Sequence, residues 1–270
     1  GLSTLELAGL ALLPFLVFAA VCCLFATAYH WAPSLVVALL VAGLLVCVAQ
    51  NRSVVAGRGH PFRFYLSMQC LAAMCSSAVT GLLAYDAFLA RYWSGSDSHA
   101  YANILPSEAA AGYMDAGKLV FADEARIDAG RAVGYKDRHV YCVAPVLDDS
   151  EANEVQFWAA GVDCCAARGN FACDDAWDPR ARSGLAIRGR DKHPQYLLAV
   201  RQAEAAFGLV SAEHPVFVRW VVDPEQLQLN FWRLGMGVLW VACVFALLES
   251  SVAAWLINSA MKGQGQWMSR

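Results

Sequence analysis

Four cysteines lie within one polar stretch of the chain at a spacing that allows two disulfides. Cys142, Cys164, Cys165 and Cys173 are the cysteines of residues 92–226. Adjacent cysteines rarely bridge each other, because a disulfide needs Cα atoms about 5.5 Å apart with converging Cβ vectors. Two pairings remain open, Cys142–Cys164 with Cys165–Cys173, or Cys142–Cys165 with Cys164–Cys173. A metal site is disfavoured, since the spacing lacks a C-x-x-C pair and nearby histidines.

Three aspartates form the pattern D-D-x-x-D directly after the last of these cysteines. Asp174, Asp175 and Asp178 have the spacing with which all-helical prenyl-transfer enzymes hold a magnesium diphosphate. Such sites need two aspartate clusters on facing helices, whereas Pro179 ends this motif and predicts a loop. Carboxylate oxygens suit a divalent cation such as Ca²⁺, so the alternatives are a weak cation site and a solvated acidic turn.

Polar side chains also occur inside or beside long apolar runs. Glu249 lies just past the middle of the last run, where an ionisable group is costly and indicates a functional role. It is expected to be protonated, to bond a neighbouring helix, or to ligate a pigment or an ion, and an interhelical hydrogen bond is the structural alternative. Gln69 is a candidate partner within the apolar runs. Asp86 and Arg233 are expected to pair near the membrane surface.

His30, at the end of the first apolar run, is a candidate ligand for a chlorophyll-type magnesium or a haem. The alternative is a solvated imidazole. The sequence contains no G-x-S-x-G, P-loop, dinucleotide fingerprint or H-E-x-x-H motif. The sequence therefore predicts a protein that is not an enzyme.

Four long apolar runs must hold these residues in place. They span Leu7–Tyr29, Leu35–Ala49, Phe64–Leu89 and Leu234–Ile257. A hydrocarbon core about 30 Å thick is crossed by about 20 apolar residues of helix, and the chain is 58% hydrophobic and 16% charged. The sequence therefore predicts a membrane all-α four-helix bundle with three spans in residues 1–91 and one in 227–270. Residues 92–226 are predicted to form a domain outside the membrane.

Charged residues are segregated along the chain. Residues 92–226 hold 20 acidic and 13 basic residues, a net charge of −7, which argues against nucleic acid as a partner because phosphate binding needs a basic footprint. The positive-inside rule places both termini on the cytosolic or stromal side, because the bases near the spans are concentrated there. These bases are Arg52, Arg58, Arg63, Lys262 and Arg270. The large loop is then expected in an oxidising, non-cytosolic compartment, which suits disulfides.

The pattern of residues 92–226 predicts a compact α+β domain. Short runs rich in β-branched and aromatic residues predict strands at Lys118–Ala122, Val140–Val146, Val155–Ala160, Leu185–Arg188 and Val216–Val222. Pro194–Leu209 predicts a helix with one apolar face. Ser107 is expected to cap a short helix, and the two disulfides restrain the domain further.

The overall plan resembles that of tetraspanins, which have three helices, a large extracytosolic loop with a Cys-Cys pair, and a fourth helix with an acidic residue. Cys164-Cys165 and Glu249 carry this likeness. Ala166 follows the pair where tetraspanins have glycine, and Cys142 precedes the pair whereas the family's partner cysteines follow it. The likeness is therefore an analogy of topology.

Several short segments resemble a dinoflagellate-type family of four-span membrane proteins without assigned activity. They are Tyr101–Glu108, Tyr141–Pro145, Gln156–Cys165, Cys173–Ala176 and Phe217–Trp220. The resemblance covers most of the loop and both flanking helices, and it implies an algal source without transferring any catalytic residue. It also implies, as one alternative, an accessory subunit of a thylakoid photosystem with the loop in the lumen.

These features lead to three expected functions. The first is a non-enzymatic scaffold or accessory subunit, surrounded by membrane lipids, that docks other integral membrane proteins through its outer domain and its helices. The second is a subunit of a photosystem–antenna supercomplex that contacts chlorophyll or carotenoid, with His30 and Glu249 as ligands. The third is a channel or transporter component that uses Glu249 and Asp86. The expected cofactors are accordingly a pigment, a lipid or a weakly bound divalent cation.

Overall fold

The computed structural model describes residues 2–55, 61–150, 154–187 and 193–267. The chain divides into two compact units, one formed by Gly1–Arg91 with Phe231–Arg270 and the other by Tyr92–Asn230. Three residues used in the sequence predictions, Arg58, Arg188 and Arg270, lie outside the described residues.

Four helices in the described part of the chain are long and apolar enough to cross a membrane. They are α1 (Thr4–Thr27), α2 (Pro33–Val55), α3 (Pro61–Ala84) and α6 (Pro224–Trp267). A five-residue π-helical turn, Tyr85–Leu89, continues α3 into the short helix α4 (Ala90–Ser96). The prediction of four helices long and apolar enough to span a membrane, together with a disulfide-bonded sheet domain, is thus confirmed.

The starts of these helices follow from local chemistry. Ser3 and Glu6 form a capping box at the start of α1, in which each side chain accepts a hydrogen bond from the other residue's backbone N–H. Proline is the first residue of α2, α3 and α6, where its missing N–H costs nothing. The Asp223 carboxylate accepts hydrogen bonds from the N–H groups of Glu225 and Gln226 and so caps α6.

Helices α1, α2 and α3 pack through small residues and a compact aromatic contact. Val21, Phe25 and Val36 are buried together between α1 and α2. A Cβ atom on Gly81 of α3 would lie 2.5 Å from the Phe25 ring, so glycine is needed for the close approach of α1 and α3.

The unit Tyr92–Asn230 is built on an eight-stranded mixed sheet with one helix of fifteen residues, α5 (His193–Phe207). The strands are β1 (His99–Ile104), β2 (Ala116–Phe121), β3 (Arg126–Ile127), β4 (Val133–Lys136), β5 (Val140–Leu147), β6 (Val155–Val162), β7 (Ser183–Ala186) and β8 (Ser211–Val221). Their order is β1-β2-β7-β8-β6-β5-β3, and β4 also pairs with β5. The pairs β1–β2 and β6–β8 are parallel and the other pairs are antiparallel.

Both faces of the central strands are buried. Phe157 and Trp220 belong to the core on one face, and Trp158 and Phe217 belong to the core on the other, where Tyr196 of α5 packs. Because both faces are covered, β5 and β6 read as nearly continuous apolar runs rather than as alternating ones. Replacing a fully buried side chain such as Trp158 with alanine costs about 3–5 kcal/mol.

The predictions for this unit were right for the central strands and for α5, and incomplete at the edges. β1, β3 and β4 were not predicted. The expected helix cap at Ser107 was wrong, because the Ser107 hydroxyl donates instead to a carboxylate oxygen of Asp148 at 2.8 Å. The short helix of this region is a 3-10 turn at Ala110–Tyr113.

Candidate functional site

The four cysteines of the unit Tyr92–Asn230 form two disulfides. Cys142 on β5 bonds Cys165, and Cys164 bonds Cys173, with Cα separations of 5.8 Å and 5.0 Å. The structure thus selects one of the two pairings that the sequence left open. Cys142 and Cys173 are fully buried, whereas Cys164 and Cys165 are half-buried.

The two disulfides form one sulfur cluster above the sheet. The Sγ atoms of Cys142, Cys164 and Cys173 all lie within 4.8 Å of one another. Cys142 pairs with Gly134 of β4 on one side and with Gly161 of β6 on the other. This row of glycine, cysteine and glycine provides the room for the cluster. Since metal binding requires thiolates, the sulfur atoms are not metal ligands in the disulfide-bonded form.

The three aspartates of the D-D-x-x-D motif do not converge. The Asp174 carboxylate forms a two-point ion pair with the Arg219 guanidinium on β8, which raises the pKa of Arg219. Asp175 accepts a hydrogen bond from the Val222 N–H at 2.8 Å. Hydrogen bonds from the Arg180 side chain and backbone lower the pKa of Asp178 to about 2. Each carboxylate therefore has its own partner: Asp174 and Asp175 tie the turn to the end of β8, and Asp178 bonds Arg180 within the turn.

A cluster of ionisable side chains beside the edge strand β1 was not predicted. The Tyr101 hydroxyl donates to Asp115 at 3.0 Å, and His99 Nδ1 lies 3.0 Å from the same carboxylate. The Tyr113 hydroxyl donates to Glu108, which raises the pKa of Tyr113 to about 12. Phenols with a raised pKa remain protonated at neutral pH, so these tyrosines act as hydrogen-bond donors. His99 and Tyr101 are two residues apart and so lie on the same face of a strand, and this spacing was the sequence signal that could have indicated the cluster.

Glu249 lies on an exposed side of α6. It is eight residues before Ile257, which at 1.5 Å per residue is about 12 Å from the end of the apolar run. Within the described part of the chain, Glu249 takes part in no hydrogen bond or ion pair. The expected hydrogen bond to Gln69 is absent, because both polar side-chain atoms of Gln69 are buried without a hydrogen-bond partner there.

The expected ion pair between Asp86 and Arg233 does not form either. Both side chains are exposed, Asp86 in the π-helical turn and Arg233 on α6. Because they lie on exposed faces of their helices, each is solvated or lipid-facing rather than paired with the other. The cation that contacts an aromatic ring here is Arg91, whose guanidinium carbon lies 5.5 Å from the centre of the Phe231 ring.

His30 is half-buried at the end of α1 and is held by a tyrosine. Its Nδ1 atom lies 2.9 Å from the hydroxyl of Tyr85, the first residue of the π-helical turn. The ring also packs edge-on against Trp31, with centroids 5.2 Å apart. The orientation of this imidazole is therefore fixed by contacts from two elements.

Three features of the described residues bear on function: the exposed carboxyl of Glu249, the imidazole of His30 held by Tyr85, and the sulfur cluster of the sheet domain. Glu249 and His30 belong to the unit that contains the four long apolar helices, and the disulfide-bonded cysteines belong to the sheet domain. No protein-family profile, curated protein or solved structure matches this chain.

Proposed function

We propose that this protein is a non-enzymatic accessory subunit of a larger membrane assembly. The observation that carries the proposal is the outward carboxyl of Glu249. An ionisable side chain near the centre of a bilayer costs about 3 kcal/mol on insertion scales. A neighbouring subunit that supplies a polar partner offsets this cost, so the assembled state is favoured over the isolated chain.

The outer domain supports the same proposal from the aqueous side. It is a sheet buried on both faces and cross-linked by two disulfides, which makes it a rigid body suited to docking. Trp177 is 70% exposed on the turn that carries Asp174, Asp175 and Asp178. The side chains of Asp174 and Asp175 tie this turn to Arg219 and to the Val222 N–H. Rigid, exposed aromatic side chains are common anchors of protein interfaces.

Purification from native membranes in a mild detergent tests the proposal. We expect the chain to elute as a complex of defined stoichiometry, with its mass measured by light scattering and its subunits identified by mass spectrometry. A monodisperse single chain in detergent, with no second protein at a fixed ratio, would contradict it.

A pigment-associated subunit is the second candidate, and His30 favours it. Ligating histidines usually have their second ring nitrogen held by a hydrogen bond that sets the ring orientation. In His30 this nitrogen is Nδ1, which is hydrogen-bonded to the Tyr85 hydroxyl. The resemblance to dinoflagellate-type membrane proteins points to a thylakoid membrane for such a subunit. An absorption spectrum of the purified complex tests this candidate. Chlorophyll or carotenoid bands that decrease in His30→Ala support it, and a spectrum without such bands rejects it.

A further inference from the structure

The residues one and two turns away from Glu249 along α6 are all apolar. Its neighbours one turn away along the helix are Phe245, Ala246, Val252 and Ala253, and those two turns away are Ala242 and Leu256. Phe245, Val252 and Leu256 are each more than half exposed. The carboxyl group therefore stands within an exposed apolar stripe, defined here by Ala242, Phe245, Glu249, Val252 and Leu256.

The polar groups nearest to Glu249 along α6 already have partners. The hydroxyls of Ser250 and Ser251 both donate to the Leu247 carbonyl oxygen, at 3.1 Å and 2.7 Å. Further along, the Asn258 side-chain oxygen accepts from the Leu2 N–H at 3.3 Å. The polar groups of α6 nearest to Glu249 thus offer no donor to its carboxylate, and lipid tails have none.

A second copy of this chain does not supply a partner for the Glu249 carboxylate. A two-fold axis along the membrane normal would bring the same stripe from each copy together, so that Glu249 faces Glu249 and like charges meet. The nearest bases on α6 are Arg233 and Lys262, sixteen and thirteen residues away, which correspond to about 24 Å and about 20 Å along the helix. Neither reaches the depth of Glu249 on a parallel neighbour.

A basic side chain is the best partner for the Glu249 carboxylate. A carboxylate in a low-dielectric environment is stabilised most by a cation that also donates hydrogen bonds, and acidic residues within membrane spans commonly pair with basic ones. An amide or hydroxyl donor would leave the negative charge unbalanced. Charge complementarity therefore selects a helix with a lysine or arginine at this depth.

We infer that a transmembrane helix of a different protein packs along this stripe and places a lysine or arginine side chain against the Glu249 carboxylate. This inference rests on the proposed function and identifies the chemistry of the partner. The apolar residues of the stripe supply the packing surface, and Glu249 supplies the register and the selectivity.

Two measurements on the full-length protein in native membranes test the inference. A photo-crosslinking amino acid at Val252 identifies the neighbouring helix by mass spectrometry. The amount of that identified protein recovered per chain is then compared between the wild type, Glu249→Gln and Ser251→Ala. Ser251 is the matched control, since it is exposed on the same helix only about 3 Å further along its axis but bonds only within its own helix.

We expect the crosslink to fall in a membrane span that contains a lysine or arginine. Glu249→Gln should lower partner recovery at least tenfold, while Ser251→Ala leaves it unchanged. Glu249→Lys combined with a glutamate in place of the partner's base should restore recovery. Full recovery in Glu249→Gln, a crosslink to a second copy, or a partner span without a base would each overturn the inference while leaving the accessory-subunit proposal standing. A wild-type chain that crosslinks only to lipid and co-purifies with no second protein at a fixed ratio would overturn both.

Discussion

At the scale of single residues, two glycines determine where the sulfur cluster lies. Gly134 and Gly161 flank Cys142 on the two neighbouring strands. A Cβ atom at Gly161 would lie 2.5 Å from Cys173 Sγ and 2.6 Å from Cys164 Sγ, and one at Gly134 would lie 2.7 Å from the Ala166 carbonyl oxygen. The disulfides can therefore lie flat on the sheet only because these two positions lack side chains.

Replacing Gly161 with alanine tests this dependence. The added methyl group must displace sulfur atoms that two disulfides hold in place, so we expect a loss of about 1–3 kcal/mol in the free energy of unfolding. Chemical denaturation followed by tryptophan fluorescence measures it. Gly112→Ala is the control, because its Cβ meets no atom within 4 Å. Equal stability of the two variants would show that the cluster has room to move.

The Asp178–Arg180 pair gives a second prediction at this scale, a dependence of stability on pH. The pKa of Asp178 is lowered from 3.8 to about 2 in the folded protein, so the folded state binds its proton less readily than the unfolded state does. Its contribution to stability is complete above about pH 4 and is lost as the pH falls toward 2.

We expect Asp178→Asn to lower the unfolding midpoint at pH 5 and to match the wild type near pH 2. Thermal unfolding of both proteins across this range measures the difference. A gap between the two proteins that stays constant with pH would exclude an origin in this carboxylate.

At the scale of elements, the sequence predicted those strands and the helix that a local residue pattern specifies. The β-branched and aromatic runs located β5, β6 and β8, and the apolar periodicity located α5. β1 and β3 were missed because β1 is largely exposed and β3 has only two residues, so their existence depends on pairing with distant strands. The disulfide pairing stayed open for the same reason, since the register of β4, β5 and β6 positions Cys142.

The two disulfides are expected to contribute unequally to stability. Cys142–Cys165 closes a loop with a sequence separation of 23 and Cys164–Cys173 one of 9. In the chain-entropy account these loops correspond to about 3.4 and about 2.6 kcal/mol. We therefore expect the double variant Cys142→Ala/Cys165→Ala to be less stable than Cys164→Ala/Cys173→Ala in chemical denaturation.

Mass spectrometry of the non-reduced protein controls this comparison. Cys164 and Cys165 are adjacent and stay on one peptide, so stepwise reduction and alkylation is needed to assign the bonds. Each double variant should retain the other native disulfide. A Cys142–Cys164 bond in the wild type would contradict the pairing on which the comparison depends.

At the scale of the whole molecule, composition divides the chain into an apolar part and an acidic part. The four apolar helices leave many large hydrophobic side chains exposed, as expected for helices that face lipid. The sheet domain, in contrast, buries its aromatic residues and is cross-linked by disulfides. The first part indicates a membrane and the second an oxidising environment.

The final prediction concerns the sides of the membrane on which these parts lie. Arg52 lies in the last turn of α2, and Lys262 lies near the end of α6. If all four helices cross the membrane, both residues lie on one side, which the positive-inside rule assigns to the cytosol or stroma. Glu124 is an exposed residue of the sheet domain, which follows the third span.

We expect a membrane-impermeant maleimide to label Glu124→Cys in sealed vesicles whose outer face corresponds to the non-cytosolic side. Lys262→Cys should react only after the vesicles are permeabilised, because the reagent then reaches the other side. The wild type, treated in parallel, corrects for reaction of the six free cysteines, which all lie in the spanning helices. If both engineered cysteines react from the same side, the chain crosses the membrane an even number of times between them, and Glu249 loses the transmembrane setting on which its partner depends. A fourth helix that lies along the surface would give this result, and Trp240 and Trp255 should then be quenched by water-soluble acrylamide.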